Sequence, residues 1–155
     1  MSEPYTFTRF STDTATIAVF DPSALVYRCE DDADWWSVPD DEVTEINSDN
    51  VLFVGLGVDD DYEVDVYRAL GGARIDSQYI SAKLKILSGC LCIGAGEQVP
   101  VGDLGPETTY GGVLVYAARG SIEVRIYWLS SNKLVVEYDS TTGEAKKEFA
   151  SSPAL

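Results

Sequence analysis

Ile122-Glu123-Val124-Arg125-Ile126-Tyr127-Trp128 is the stretch that decides the fold. Ile122, Val124, Ile126 and Trp128 alternate with Glu123, Arg125 and Tyr127, the period of a strand with one face in a core and the other toward water. Ser130-Ser131-Asn132 is turn material, and Leu134 to Tyr138 returns as a second strand, so the pair reads as a hairpin. Working outward, Tyr5 to Phe10 and Thr14 to Phe20 are rich in β-branched and aromatic residues and read as strands on either side of a turn at Ser11-Thr12-Asp13. Val51 to Val58 is nearly all apolar, a strand buried on both faces. Tyr62 to Tyr67 alternates cleanly after the acidic connection Asp59-Asp60-Asp61, and the spacing predicts a hairpin between these two. Tyr79 to Leu87, Leu91 to Gly94 and Val113 to Tyr116 complete the strand material.

Two short helices interrupt it between residues 22 and 47. Asp21 fits an N-cap and Pro22 the first helical position, which predicts a helix over Ser23 to Arg28. Pro39 opens a second, running to about Ile46, with Asp40, Asp41 and Glu42 where the helix dipole favours acids. Eight to ten short strands with turns every eight to twelve residues predict a mainly β fold: an antiparallel β-sandwich or flattened barrel over residues 1–143. Residues 144–155 read as a polar, frayed tail in which Phe149 is the residue able to dock.

The charge is lopsided. The formal net charge is −15, and residues 1–65 hold 17 of the 26 acids against Arg9 and Arg28, so this segment carries all of it. Such a field repels nucleic acid and anionic membranes and attracts basic proteins. The densest part is Glu30 to Glu42, where seven of thirteen residues are carboxylates around Trp35-Trp36. Helix structure accounts for Asp40 to Glu42, and Asp34 fits the cap of a turn carrying Trp35 and Trp36; neither accounts for Glu30, Asp31 and Asp32. Two adjacent tryptophans diverge in any regular backbone, so at most one is fully buried. One that stays accessible within an anionic rim has the composition of a binding hot spot for a basic protein.

Several chemistries are excluded. With no histidine in the chain there is no Ser-His-Asp or Cys-His machinery and no imidazole metal ligand. Three cysteines, Cys29, Cys90 and Cys92, fall short of a four-ligand zinc site, and an odd count without a secretion signal gives no disulfide framework. Gly55-Leu56-Gly57 lacks the third glycine of a dinucleotide site, and neither acidic triplet has the alternating spacing of an EF-hand. Met1 to Phe10 carries no signal sequence and no run is long enough to span a membrane, which makes the cytoplasm the expected compartment. No cofactor is implied.

Phe20-Asp21-Pro22, Asp31-Asp32-Ala33-Asp34-Trp35-Trp36, Asn50 to Gly57 and Gly94-Ala95-Gly96-Glu97 together resemble a family of small acidic bacterial domains without assigned function, over most of residues 13–130. The resemblance brings no catalytic residues. In type, the chain is similar to immunity proteins that neutralise toxins. The expectation is therefore a non-catalytic protein-binding domain whose partner is a basic protein. Glu30, Asp31, Asp32, Asp34, Asp59, Asp60 and Asp61 would steer it, and Trp35 or Trp36 would anchor it. The alternative is a small-ligand or carbohydrate-binding sandwich, with calcium assisting, that uses the glycine-rich Gly94 to Gly112 loop.

Overall fold

The computed structural model describes residues 3–30, 35–71, 78–99, 111–141 and 148–155. Among the described residues nine strands form two sheets: β1 (Thr6–Thr12), β2 (Thr16–Phe20), β3 (Val51–Gly55), β4 (Asp60–Tyr67), β5 (Ile80–Ile86), β6 (Cys90–Ala95), β7 (Val113–Tyr116), β8 (Gly120–Ser130) and β9 (Lys133–Ser140). The α-helix α1 (Pro39–Asn47) follows two 3-10 segments, Pro22–Glu30 and Trp35–Ser37. The fold is mainly β and sandwich-like, as the strand count predicts.

Hydrophobic pattern sorts the strands between the sheets. The alternating strands make a five-stranded sheet in the order β1-β4-β9-β8-β5, and the uniformly apolar β2, β3 and β6 make a four-stranded sheet with β7, in the order β3-β2-β6-β7. The four-stranded sheet is covered twice. One face shares a core with the five-stranded sheet, through residues such as Ile17, Val19, Val64, Val124 and Val136. Over the other lies a helical layer, where α1 packs on β3 and the Trp35 ring meets Phe53 edge-on at 5.8 Å. A strand covered on both sides must be apolar on both sides.

Two expectations of strand pairing are corrected. β3 and β4 do not form a hairpin: they lie in different sheets, and Gly57, at φ 91°, turns the chain from one to the other. Nor is the sandwich wholly antiparallel, because β4 runs parallel to β9, from Glu63 beside Lys133 to Tyr67 beside Glu137. The β8–β9 hairpin forms as expected, with Asn132 at φ 62° in its turn, a conformation asparagine tolerates.

The end of the chain is docked rather than frayed over residues 148–155. Asn47 and Phe149 exchange two hydrogen bonds of 2.9 Å, from Asn47 Nδ2 to the Phe149 carbonyl and from the Phe149 amide to Asn47 Oδ1. Further on, the Gly55 amide donates to the Pro153 carbonyl and the Leu155 amide to the Gly55 carbonyl, which covers the free edge of β3. Phe149 and Leu155 pack against the core.

Candidate functional site

The connection from β1 to β2, residues 12–16, organises one end of the sandwich. Thr12 pairs with Asp60 and Ser11 with Asp61 across the β1–β4 ladder, and the Ser11 hydroxyl donates to the Asp61 carboxylate. Glu97 pins the connection from the other side. It accepts from Thr12 Oγ1 at 2.7 Å, Thr14 Oγ1 at 2.9 Å and the Asp13 amide at 2.5 Å. A β-carbon at Gly96 would stand 2.9 Å from Thr16 Cγ2, so a larger residue there would push Thr16 aside where the turn carrying Glu97 closes on β2. Asp13, Asp59, Asp60 and Asp61 are all exposed here. Hydrogen bonds from Asn132 Nδ2 and the Asp61 amide hold the Asp60 carboxyl below its ordinary range.

Beside this connection, under the helical layer, lies a pocket of about 230 Å³ lined by Thr14, Thr16, Phe53 and Gly96 on one side and Trp36, Ser37 and Glu42 on the other. Trp36 is half-buried, and its indole N–H is buried with no hydrogen-bond partner among the described residues. Glu42, in the first turn of α1, accepts from the Ser152 hydroxyl. Burial pushes its carboxyl pKa up, against the lowering effect of that hydrogen bond.

A second arrangement on α1 is complete within the chain. Glu45 is buried, and its carboxylate accepts from Arg28 Nη2 at 2.8 Å, Arg28 Nε at 3.1 Å, Asn50 Nδ2 at 2.6 Å and the Tyr27 hydroxyl. The Arg28 guanidinium also lies 4.7 Å from the centre of the Trp35 ring. Arg28 is thus committed to the interior, and Arg9 pairs with Glu63 at 2.7 Å. These are the two bases of the acidic segment: Arg28 is drawn inside, with Asp41 3.5 Å from its Nη2, whereas Arg9 stays exposed in a cleft lined also by Asp61 and Lys133. Among the described residues, Asp13, Glu42, Asp59, Asp60 and Asp61 form no ion pair with lysine or arginine.

The expected site residues separate accordingly. Asp59, Asp60 and Asp61 are exposed at the start of β4, and the 12–16 connection links them to the Trp36 pocket. Trp35 is 2% exposed and belongs to the core, so of the two tryptophans only Trp36 is left to meet a partner. Asp31, Asp32 and Asp34 lie outside the described residues, as does the Glu30 side chain, while the Glu30 backbone ends the first 3-10 segment. Of the Gly94 to Gly112 loop, residues 100–110 also lie outside them; its base is closed by Gln98, which accepts from the Ala95 amide and donates to the Gly111 carbonyl. The sequence reading missed the roles of Asp13, Glu97 and Glu42. Glu97 lies 83 to 85 residues from its partners, and no local pattern signals such a contact.

Other features are structural. Asp21 is buried where β2 ends and accepts from the amides of Ser23, Leu87 and Ser88 and from the Ser88 hydroxyl, at 2.7 to 2.9 Å. Burial alone would raise its pKa; these four donors together hold it below the ordinary value. Cys92 is buried, and desolvation pushes its thiol up to about 12, so it is inert as a nucleophile at neutral pH. Among the described residues no three acidic or cysteine side chains converge to hold a metal ion, and no helix is long and apolar enough to cross a membrane.

A model described as a family of unknown function, DUF6386, matches residues 4–150. No curated protein matches the sequence. The fold is similar to two solved structures. One is ComJ from Bacillus subtilis, described as an inhibitor of the DNA-degrading activity of NucA; the TM-score is 0.58 at 9% identity, covering 91% of this chain and 99% of ComJ. The other is the product of crocagin biosynthetic gene J, with a TM-score of 0.52 at 14% identity, covering 86% of this chain and 93% of that one.

Proposed function

We propose that this chain, which belongs to the DUF6386 family of unknown function, is a non-catalytic, immunity-type protein that neutralises a basic toxin or effector by occluding it. The observation that carries the reading is the unpaired acidic rim. Asp13, Asp59, Asp60 and Asp61 are exposed at one end of the sandwich, next to the pocket of Trp36 and Glu42, and none of the four forms an ion pair among the described residues, Arg9 being paired with Glu63 and Arg28 with Glu45. An uncompensated field of this kind accelerates encounter with a positively charged protein, by factors of about 10 to 1,000 at low salt. It also disfavours a nucleic acid as the partner. A half-buried tryptophan at the border of the field supplies what charge alone lacks, a contact that is desolvated on binding. ComJ is described as an inhibitor of a DNA-degrading activity and has a similar fold, so the scaffold is compatible with inhibition by binding.

The test uses the product of the neighbouring gene as the partner. Replacing Asp59, Asp60 and Asp61 together by lysine should slow association at low ionic strength by about tenfold or more and flatten its dependence on salt. The melting temperature should fall only modestly, because all three side chains are exposed and what is lost is the hydrogen bonding of Asp60 to Asn132 and of Asp61 to Ser11. An unchanged association rate, with the complex still forming, would place the interface elsewhere.

A further inference from the structure

We infer that the pocket between Trp36 and Glu42 is a receptor for one arginine side chain of a basic protein partner, an inference that rests on the basic-partner reading above. The chain contains its own example of the required chemistry. Trp35 and Glu45 hold the Arg28 guanidinium, which lies 4.7 Å from the ring centre and 2.8 Å from the carboxylate. Trp36 and Glu42 repeat that pair one residue along the 3-10 turn and three residues back along α1, a spacing that keeps the two carboxylates on neighbouring parts of one helix surface. The first pair is closed inside the molecule. The second lines an open pocket and has no cation among the described residues.

The hydrogen bonding of the two glutamates supports the same occupant; the unpartnered Trp36 indole N–H is a donor that guanidinium cannot satisfy, and it needs an acceptor such as a backbone carbonyl of the partner. Glu97 has three donors on its carboxylate and no need of a ligand. Among the described residues Glu42 has the Ser152 hydroxyl alone, so acceptor capacity is left over on a partly desolvated charge. A cation is what such a carboxylate lacks. Trp36 and Phe53 give the pocket aromatic walls, and Thr14 and Thr16 add hydroxyl oxygens. Guanidinium is planar, weakly hydrated and stacks on aromatic rings, which fits these walls better than the compact, strongly hydrated ammonium of lysine. The volume of about 230 Å³ holds one long side chain and is below that of most cofactor sites.

The test is a titration of the full-length ¹⁵N-labelled chain with Nα-acetyl-arginine methylamide, followed through the tryptophan indole N–H signals, with Nα-acetyl-citrulline methylamide as the neutral isostere. Trp36→Phe assigns the Trp36 signal. Arginine should shift the Trp36 indole saturably, leave Trp128 unmoved and bind about tenfold more tightly than citrulline; Glu42→Gln should abolish that preference. The inference is overturned if arginine and citrulline act alike, if the preference survives Glu42→Gln, or if arginine moves only backbone amides of Asp59 to Asp61. The two readings fail separately. A partner that binds through Asp59 to Asp61 and ignores Glu42→Gln removes the pocket and leaves the function standing. A pocket that selects arginine, with no complex formed by the neighbouring gene product, does the reverse.

Discussion

Replacing Arg28 by methionine removes the one cation that, among the described residues, pairs with Glu45. The Glu45 side chain is 3% exposed and that of Arg28 is 14% exposed, so the pair is shielded from water. Asn50 Nδ2 and the Tyr27 hydroxyl would still donate to the carboxylate, but no positive charge would remain against it. Breaking a buried ion pair from one side costs about 3–5 kcal/mol, since the surviving charge stays desolvated. For a domain of this length, that is a large part of a total of about 5–15 kcal/mol and lowers the melting temperature by about 10 °C or more. Urea unfolding at pH 7 measures it, read as a lower midpoint at unchanged slope. The double variant Arg28→Met with Glu45→Gln carries no orphaned charge and should recover more than half of the loss. A single variant that costs under about 1 kcal/mol, or a double variant no more stable than the single one, would refute the assignment of Arg28 as the counter-ion of a buried Glu45.

Other outcomes follow from the same geometry. Asp21 has a folded-state pKa below its unfolded value, so its stabilisation is complete above the unfolded pKa and is lost as pH falls through the folded one; Asp21→Asn should flatten the fall in melting temperature below about pH 4 while lowering stability at pH 7. Glu42 has the opposite sign. Its raised folded pKa makes the ionised form a burden at neutral pH, so Glu42→Gln should hold or raise the melting temperature at pH 7, and the difference should vanish once pH is below the unfolded pKa. Gly111→Ala should destabilise the chain by about 2 kcal/mol or more in the same urea assay, because its φ is +88° and the added carbon would stand 2.2 Å from the Arg9 carbonyl oxygen.

Much of this fold is legible in local stretches of the chain. Alternation in Ile122 to Trp128 and in Leu134 to Tyr138 specified a hairpin, because the two strands are joined by a short turn and pairing is local. The Asp21-Pro22 and Pro39 signals located the helical segments, because capping and proline geometry act within one turn. The contrast between the apolar Val51 to Val54 and the alternating Tyr62 to Tyr67 even encoded which sheet each would enter; reading them as a hairpin used only their closeness along the chain and overlooked the mismatch in pattern. The tertiary structure decided the rest. β4 meets β9 in parallel across about 70 residues, and side-chain periodicity is the same for either strand direction. Trp35 and Trp36 are chemically identical neighbours, and packing against Phe53 buries the first. By composition Arg28 offsets the acidic segment; only folding shows that Glu45 takes it inside. The acidic charge is therefore a property of the sequence, whereas the rim that brings Asp13 beside Asp59 to Asp61 and the pocket next to it are properties of the fold, because contacts between residues tens of positions apart leave no periodic trace in the chain.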